Sequence, residues 1–293
     1  MKRLKVSKYL FIIAIVFLSL IILAVSTVWL KQRQSLKNMR NPFGVLEFLH
    51  WNHPWNSYKY ASEDDLKKAV GLIKELGAGW VRMDFLWDEI EPEAGNFDFK
   101  KYDYIVDLLY DNGINILGIL NYTASWASVS GQWNSPPTDN KLFVNYAVKV
   151  AKRYKDKIKY WEVWNEPDSN VYWAPQDGLK KYCALLKDVY IALKKAAPGC
   201  KILNGGLANG IISVNRLYDN GAKDYFDILN IHIFESPLNN GSLNRVLAYP
   251  KATYKIMSRN GDAQKKIWVT EIGCPGVDRP KDVKGWWLGE NPD

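Results

Sequence analysis

Cysteine and histidine are scarce, with three of each in 293 residues. Cys183, Cys200 and Cys274 cannot all pair within one chain, so no disulfide framework holds the fold. No CxxC or HExxH spacing joins them, or His50, His53 and His232, into a metal set. Phosphate-cradling loops are missing too: neither GxGxxG nor GxxxxGK[ST] follows any apolar run, and no cofactor is expected. The positive charge, formally +8, is confined to one end. Residues 1–40 carry eight of the 39 Lys and Arg and none of the 31 Asp and Glu, so the remainder balances at 31 of each sign. A neutral body offers no surface for tracking phosphates, which excludes nucleic acid as a partner.

The first forty residues do contain one long uncharged run, YLFIIAIVFLSLIILAVSTVWL at 9–30. It is long enough to span a bilayer. The boundaries read as a basic n-region at 1–8, a transmembrane signal-anchor at 9–30, a basic linker at 31–41, and a globular part at 42–293. A cleaved signal peptide ending near Ala24 to Ser26 is the rival reading, but the apolar run continues past those small residues. Either way the chain enters an export route. The globular part is expected outside the cytoplasm, membrane-anchored, or secreted if the segment is cleaved.

From residue 42 onward, apolar extended runs alternate with helical patterns. Strands are predicted at 43–51, 79–87, 114–122, 159–164, 201–208, 225–235 and 266–273. Helices are predicted at 62–77, 99–112, 139–155, 177–196, 211–221 and 243–259, the first with Ser62 and Asp65 as a cap and Gly77 as a stop. Such alternation favours an α/β fold with a parallel sheet, here a (β/α)8 TIM barrel. An eighth strand is not evident. CPGVDRPKDVKGWWLGENPD, at 274–293, has no strand-like alternation, and its ENPD reads as a helix start. The expectation is a barrel truncated after its seventh strand, with exposed edges on its first and last strands.

Polar residues gather at the carboxyl ends of the strands, where barrels keep their chemistry. These are Arg82 and Asp84, Asn121 and Tyr122, Asn165 and Glu166, His232, and Glu271. In KYWEVWNEPDS the apolar strand stops at an Asn-Glu-Pro, and Pro167 is expected to hold Glu166 in extended backbone at the strand tip. Glu166 ends the fourth strand and Glu271 the seventh, so a closed barrel sets them facing each other. Two carboxyl groups flanking an anomeric carbon are what glycosidic cleavage requires, one to protonate the leaving oxygen and one to attack or to activate water.

YWEVWNEPD followed by IWVTEIG resembles the clan A glycoside hydrolases, especially the β-xylosidase-like family 39 and the cellulase-like family 5. VRMDFLWDEIEPEAGNFDF, ILNYTASWAS and NIHIF extend the resemblance from about residue 42 to the end. It implies a retaining double displacement on a poly- or oligosaccharide, with Glu166 as acid and base, Glu271 as nucleophile, and Asn165 donating to a sugar 2-hydroxyl. Arg82 is expected to hold the Glu271 pKa down by proximity, and His232 to hydrogen-bond the substrate or the acid-base side. Where the family often carries a tyrosine two residues after that histidine, this chain has Phe234. Among thirteen tryptophans, Trp126 and Trp51 are the sugar-platform candidates, while Trp161 and Trp268 are expected to pack beneath helices. A non-catalytic carbohydrate-binding barrel and a transglycosidase using the same residues are the alternatives.

Overall fold

The computed structural model describes residues 12–27, 30, 41–52, 60–234 and 241–273. Residues 12–27 are helical (α1) and exposed. Among the described residues no helix is long and apolar enough to cross a membrane, and residues 9–11 and 28–29 of the predicted anchor lie outside them. Also outside lie His53, Cys274, and the 274–293 segment in which an eighth strand was not evident.

The remaining elements are β1 (Gly44–Leu46), α2 (Glu63–Glu75), β2 (Trp80–Leu86), α3 (Trp87–Ile90), α4 (Lys100–Asp111), β3 (Asn115–Asn121), α5 (Asn140–Arg153), β4 (Tyr160–Val163), α6 (Lys180–Ala196), β5 (Lys201–Asn204), α7 (Gly210–Asp219), β6 (Ile228–Ile233), α8 (Ser242–Arg259) and β7 (Lys266–Ile272). The strands form one sheet in chain order, and β3 through β7 pair in parallel. This is the repeated strand–helix order of an α/β barrel.

The chain divides into two compact units, one of residues 1–45, 51–81 and 104–115, the other of 46–50, 82–103 and 116–293. In the first, Ser62 caps α2 in a full capping box with Asp65, and Gly77 follows the helix at a φ of 72°. That matches the predicted start and stop.

The second unit shows how far the sheet curls. Arg82 on β2 bonds Glu271 on β7. In a flat sheet those strands would stand about 24 Å apart, five spacings of ~4.8 Å. The rings of Tyr160 on β4 and Trp268 on β7 stack 5.0 Å apart on the same concave face, beside Leu117, Leu203 and Ile228. Trp268 therefore faces inward, contrary to the expected place beneath a helix. Trp161 does lie on the helix side, fully buried, with Phe85 at 5.1 Å, and Phe85 in turn meets Tyr102 of α4 and Tyr154 at the end of α5.

Several strands are shorter than the apolar runs suggest. β1 stops at Leu46 and not at 51, and Lys223–Tyr225 forms a 3-10 turn before β6. β5 stops at Asn204, because Gly205 and Gly206 turn the chain, and Leu207 rejoins the sheet only through single bonds with Asn230 and His232. Hydrophobicity extended these predictions where backbone pairing ends.

Gly118 on β3 lies under Trp161, where a Cβ would come within 2.4 Å of the indole and 3.0 Å of Phe85. Gly118→Ala is expected to destabilise the fold by about 1–3 kcal/mol through overpacking. Urea denaturation measures this, and an unchanged midpoint would contradict the packing.

Candidate active site

Alternation along β2 turns Arg82 and Asp84 to the concave face, and alternation along β4 turns Glu162 there as well. Arg82 donates from Nε and Nη2 to the two oxygens of Glu162, each at 2.8 Å, from Nη2 to Asn165 Oδ1 at 2.8 Å, and from Nη1 to Glu271. Glu162 is fully buried and also accepts the Gly206 N–H at 2.9 Å. Burial alone would disfavour the guanidinium charge, but Glu162 and then Glu271 more than offset this, and Arg82 stays a cation. Asp84 accepts from Asn121 and is pushed up to about 6, chiefly by burial.

The loop after β4 departs from its predicted conformation. Pro167 was expected to keep Glu166 extended, yet Trp164 has a φ of 71° and Glu166 a φ of 43°. Left-handed backbone at non-glycine residues costs about 1–3 kcal/mol each and persists where its surroundings over-determine it. Here Trp164 N–H donates to Leu120 O at 2.9 Å, its indole donates to Tyr172 O at 2.8 Å, and Ser169 N–H donates to Glu166 O at 3.0 Å. Asp168 accepts two backbone N–H groups, from Ala208 and Asn209. The loop is therefore tied down on both sides of Glu166.

This conformation brings Glu166 Oε1 to 2.9 Å from His232 Nδ1. The other ring nitrogen, Nε2, lies 3.1 Å from Thr270 Oγ1, and the Thr270 hydroxyl donates to Asn230 Oδ1 at 2.8 Å. With its proton directed at Asn230, the Thr270 oxygen accepts from Nε2–H, which leaves Nδ1 as an acceptor. The proton between His232 and Glu166 then belongs to the carboxyl group. Burial, and next the neighbouring charges of Glu271 and Asp168, push Glu166 up to about 8. Burial, followed by the charge of Arg82, holds His232 well below its usual range. The contact is a hydrogen bond between neutral groups and not an ion pair. Gly206 makes room for the ring, since a Cβ there would come within 1.9 Å of Nε2.

Glu271 differs from Glu166 in having a cation on its carboxylate. Its pKa is nonetheless raised, because burial outweighs the opposing pull of Arg82. The contact with Arg82 was anticipated; the net direction was not. Phe234, at the position where the resembled family often carries a tyrosine, is 36% exposed, with its ring 6.1 Å from that of His232. Donor atoms of Glu166, His232 and Glu271 all lie within 4.8 Å of one another. The same three groups could converge on a cation, although both nitrogens of His232 already face other partners.

Of the residues singled out in the sequence, Arg82, Asn165, Glu166, His232 and Glu271 come together. Asn121 joins through Asp84, and Tyr122, the next residue, sets its ring 5.3 Å from that of Trp164. Trp126 has its indole donating to Glu91 O at 2.8 Å and its ring edge-on to Trp87. Trp51 belongs to the other unit. Glu162, Thr270, Asn230 and Gly206 were missed. A charge at the centre of the apolar run YWEV was a legible signal for Glu162; the others carry none that a sequence reveals.

The Beta-galactosidase family model, glycoside hydrolase 42, matches residues 57–125. The chain is 32% identical over 111 residues to an aryl-phospho-beta-D-glucosidase of Bacillus subtilis, covering 34% of this chain and 22% of the relative. It is 29% identical over 104 residues to endo-1,4-beta-xylanase 3 of Hypocrea jecorina, covering 34% and 29%. A solved family 39 glycoside hydrolase from Bacteroides cellulosilyticus superposes with a TM-score of 0.62 at 25% identity, over 79% of this chain and 49% of that one. A monomeric beta-xylosidase from Caulobacter crescentus gives 0.64 at 16% identity, over 81% and 53%. The chain thus spans about half the length of these structural neighbours and less of the sequence relatives. It resembles the clan A glycoside hydrolases, family 39 among them.

The raised carboxyl of Glu166 makes stability depend on pH. The unfolded chain gives up this proton near 4.5 and the folded chain near 8, so the contribution is full below about 4.5 and is lost as pH rises to about 8. Glu166→Gln, neutral throughout, should flatten this part of the stability curve, leaving the slopes due to Asp84, Glu271 and His232. Thermal denaturation across that window tests it, and identical slopes would refute the raised pKa. Thr270→Val removes the acceptor that fixes the His232 tautomer, frees Nδ1–H to donate to a carboxylate, and should lower the Glu166 pKa. Carboxyl carbon NMR would read that shift, and an unmoved titration would exclude the tautomer assignment.

Proposed function

We propose that this chain carries the site of a retaining glycoside hydrolase that cleaves β-linkages in a poly- or oligosaccharide. The observation that carries this reading is the approach of Glu166 and Glu271, with carboxylate oxygens within 4.8 Å. Retaining glycosidases hold their carboxyl groups ~5–5.5 Å apart, and inverting ones ~6.5–9.5 Å, with room for a water between them. The resemblance to clan A supports the same reading.

In the proposed reaction neutral Glu166 gives its proton to the leaving oxygen while Glu271 attacks the anomeric carbon and forms a glycosyl ester. Ester formation removes the negative charge of Glu271, one of the causes that raise Glu166. The Glu166 pKa then falls, and the group serves as base toward the incoming water. Asn165 has its carbonyl oxygen taken by Arg82, so its amide presents only donors, as a contact with a sugar 2-hydroxyl requires. The apolar run at 9–30, with cations on both flanks, supports a membrane anchor that holds this site outside the cytoplasm, where polysaccharides are met.

Incubation with activated 2-fluoro-glycosides should leave a glycosyl adduct on Glu271, read by intact mass and peptide mapping. Adduct at another residue, or activity that persists in Glu271→Gln, would remove Glu271 as nucleophile. Glu166→Ala should slow substrates with poor leaving groups by about 10²–10⁴-fold and spare activated aryl glycosides, since only the former need protonation. Equal losses on both would argue against Glu166 as the acid.

A further inference from the structure

Beside the carboxylates stands an aromatic corner of which the sequence singled out only Tyr122. Tyr122 follows β3, Trp133 lies in the loop before α5, and Tyr172 lies in the loop after β4. The rings of Tyr122 and Tyr172 are 14° from parallel at 6.1 Å, and Trp133 meets both at 68°, 4.7 Å from Tyr122 and 6.1 Å from Tyr172. The three form a wall of two parallel rings with an indole set across it. Tyr122 and Tyr172 are half-buried, whereas Trp133 is 45% exposed.

The corner is fixed by backbone. Thr123 N–H donates to Trp133 O at 3.0 Å, Asn134 Nδ2 to Val171 O at 3.0 Å, and Ala174 N–H to Asn134 O at 2.9 Å. Tyr122 is braced from behind by Trp164, with ring centroids 5.3 Å apart. An exposed indole held this firmly keeps its face open without paying the ordering cost that a mobile side chain would incur on binding.

The corner also lies within the electrostatic reach of the reacting groups. Tyr172 is pushed up to about 12, first by burial and then by the charges of Glu166 and Glu271. Trp164, two residues before Glu166, donates its indole N–H to Tyr172 O at 2.8 Å and packs against Tyr122. A rigid, partly apolar surface bordering a few convergent polar groups is the usual build of a ligand site. Aromatic faces carry a negative quadrupole, which suits the weakly positive C–H face of a pyranose ring.

We infer that Trp133, with Tyr122 and Tyr172, forms a saccharide subsite that stacks a pyranose ring next to the one being cleaved. The inference rests on the proposed glycosidase reading and extends it, since it makes Trp133 a determinant of binding for glycans longer than one unit. It assigns no part in bond cleavage to the indole.

Binding of cellohexaose, xylohexaose and mannohexaose to the full chain carrying Glu271→Gln, which blocks turnover, tests this by isothermal titration. Adding Trp133→Ala should raise the Kd of whichever hexasaccharide binds by about tenfold, and Trp133→Phe should restore most of the affinity. Circular dichroism should show the fold retained, because the removed side chain lies in a surface loop and is 45% exposed. In the catalytically intact chain, Trp133→Ala should raise KM for the oligosaccharide. If a hexasaccharide binds and Trp133→Ala leaves its Kd within twofold, the subsite is refuted while the glycosidase reading stands. If none binds and no activated glycoside labels Glu271, the two fall together.

Discussion

Everything in this site is arranged around one buried cation. Arg82 is 5% exposed, and a charge so placed costs several kcal/mol unless its donors are met. Four donor contacts run from it to three side chains: Glu162 on β4 takes two in a fork, Asn165 takes one, and Glu271 on β7 takes one. The fork to Glu162 fixes the guanidinium plane. That plane then determines where Asn165 turns its amide and where Glu271 rests its carboxylate. The contact from β2 to β7 also shows the curl of the sheet, so the constraint that closes the fold around the site is the one that aligns its chemistry.

One cation cannot balance all the carboxyl groups near it. Glu162, Asp84, Glu166 and Glu271 converge on the same face, and their charges act on one another. Glu162 and Glu271 touch the guanidinium directly, while Glu166 faces a neutral imidazole instead. The divergence of the two catalytic candidates follows from these partners. Glu166, with burial and a like charge against it and no cation in contact, holds its proton to about pH 8. Glu271 has Arg82 opposing its burial. Two chemically identical groups acquire the unlike proton affinities that an acid and a nucleophile need.

Much of this was legible in the sequence, for definite reasons. Strand–helix alternation has a strong periodic signal, and the helices fall within a few residues of the predicted bounds. The pairing of Glu166 with Glu271 followed from strand-end positions, which barrel topology converts into proximity. What could not be read was decided by tertiary contact. Pro167 biases Glu166 toward extended backbone, but a net of hydrogen bonds through Trp164, Ser169 and Asp168 imposes a positive φ. Trp126 has the composition of a platform, yet its indole hydrogen is spent on Glu91. Trp133, in a polar loop with no periodicity, gave no reason to be chosen over the other tryptophans.

The phenylalanine at 234 shows how such a site can do without one of its expected donors. The resembled family often carries a tyrosine there; Phe234 offers no hydroxyl. Among the described residues Glu271 receives one hydrogen bond, from Arg82 to Oε1, and His232 Nε2 stands 3.8 Å from that same oxygen, beyond hydrogen-bond range. Oε2 is thereby left without a donor. A carboxylate with one donor fewer has its ionised form less stabilised, in line with the raised pKa of Glu271. In this chain the position of Glu271 depends on Arg82, and that of Arg82 depends on Glu162, a residue four positions before Glu166 that never meets the substrate in the proposed reaction.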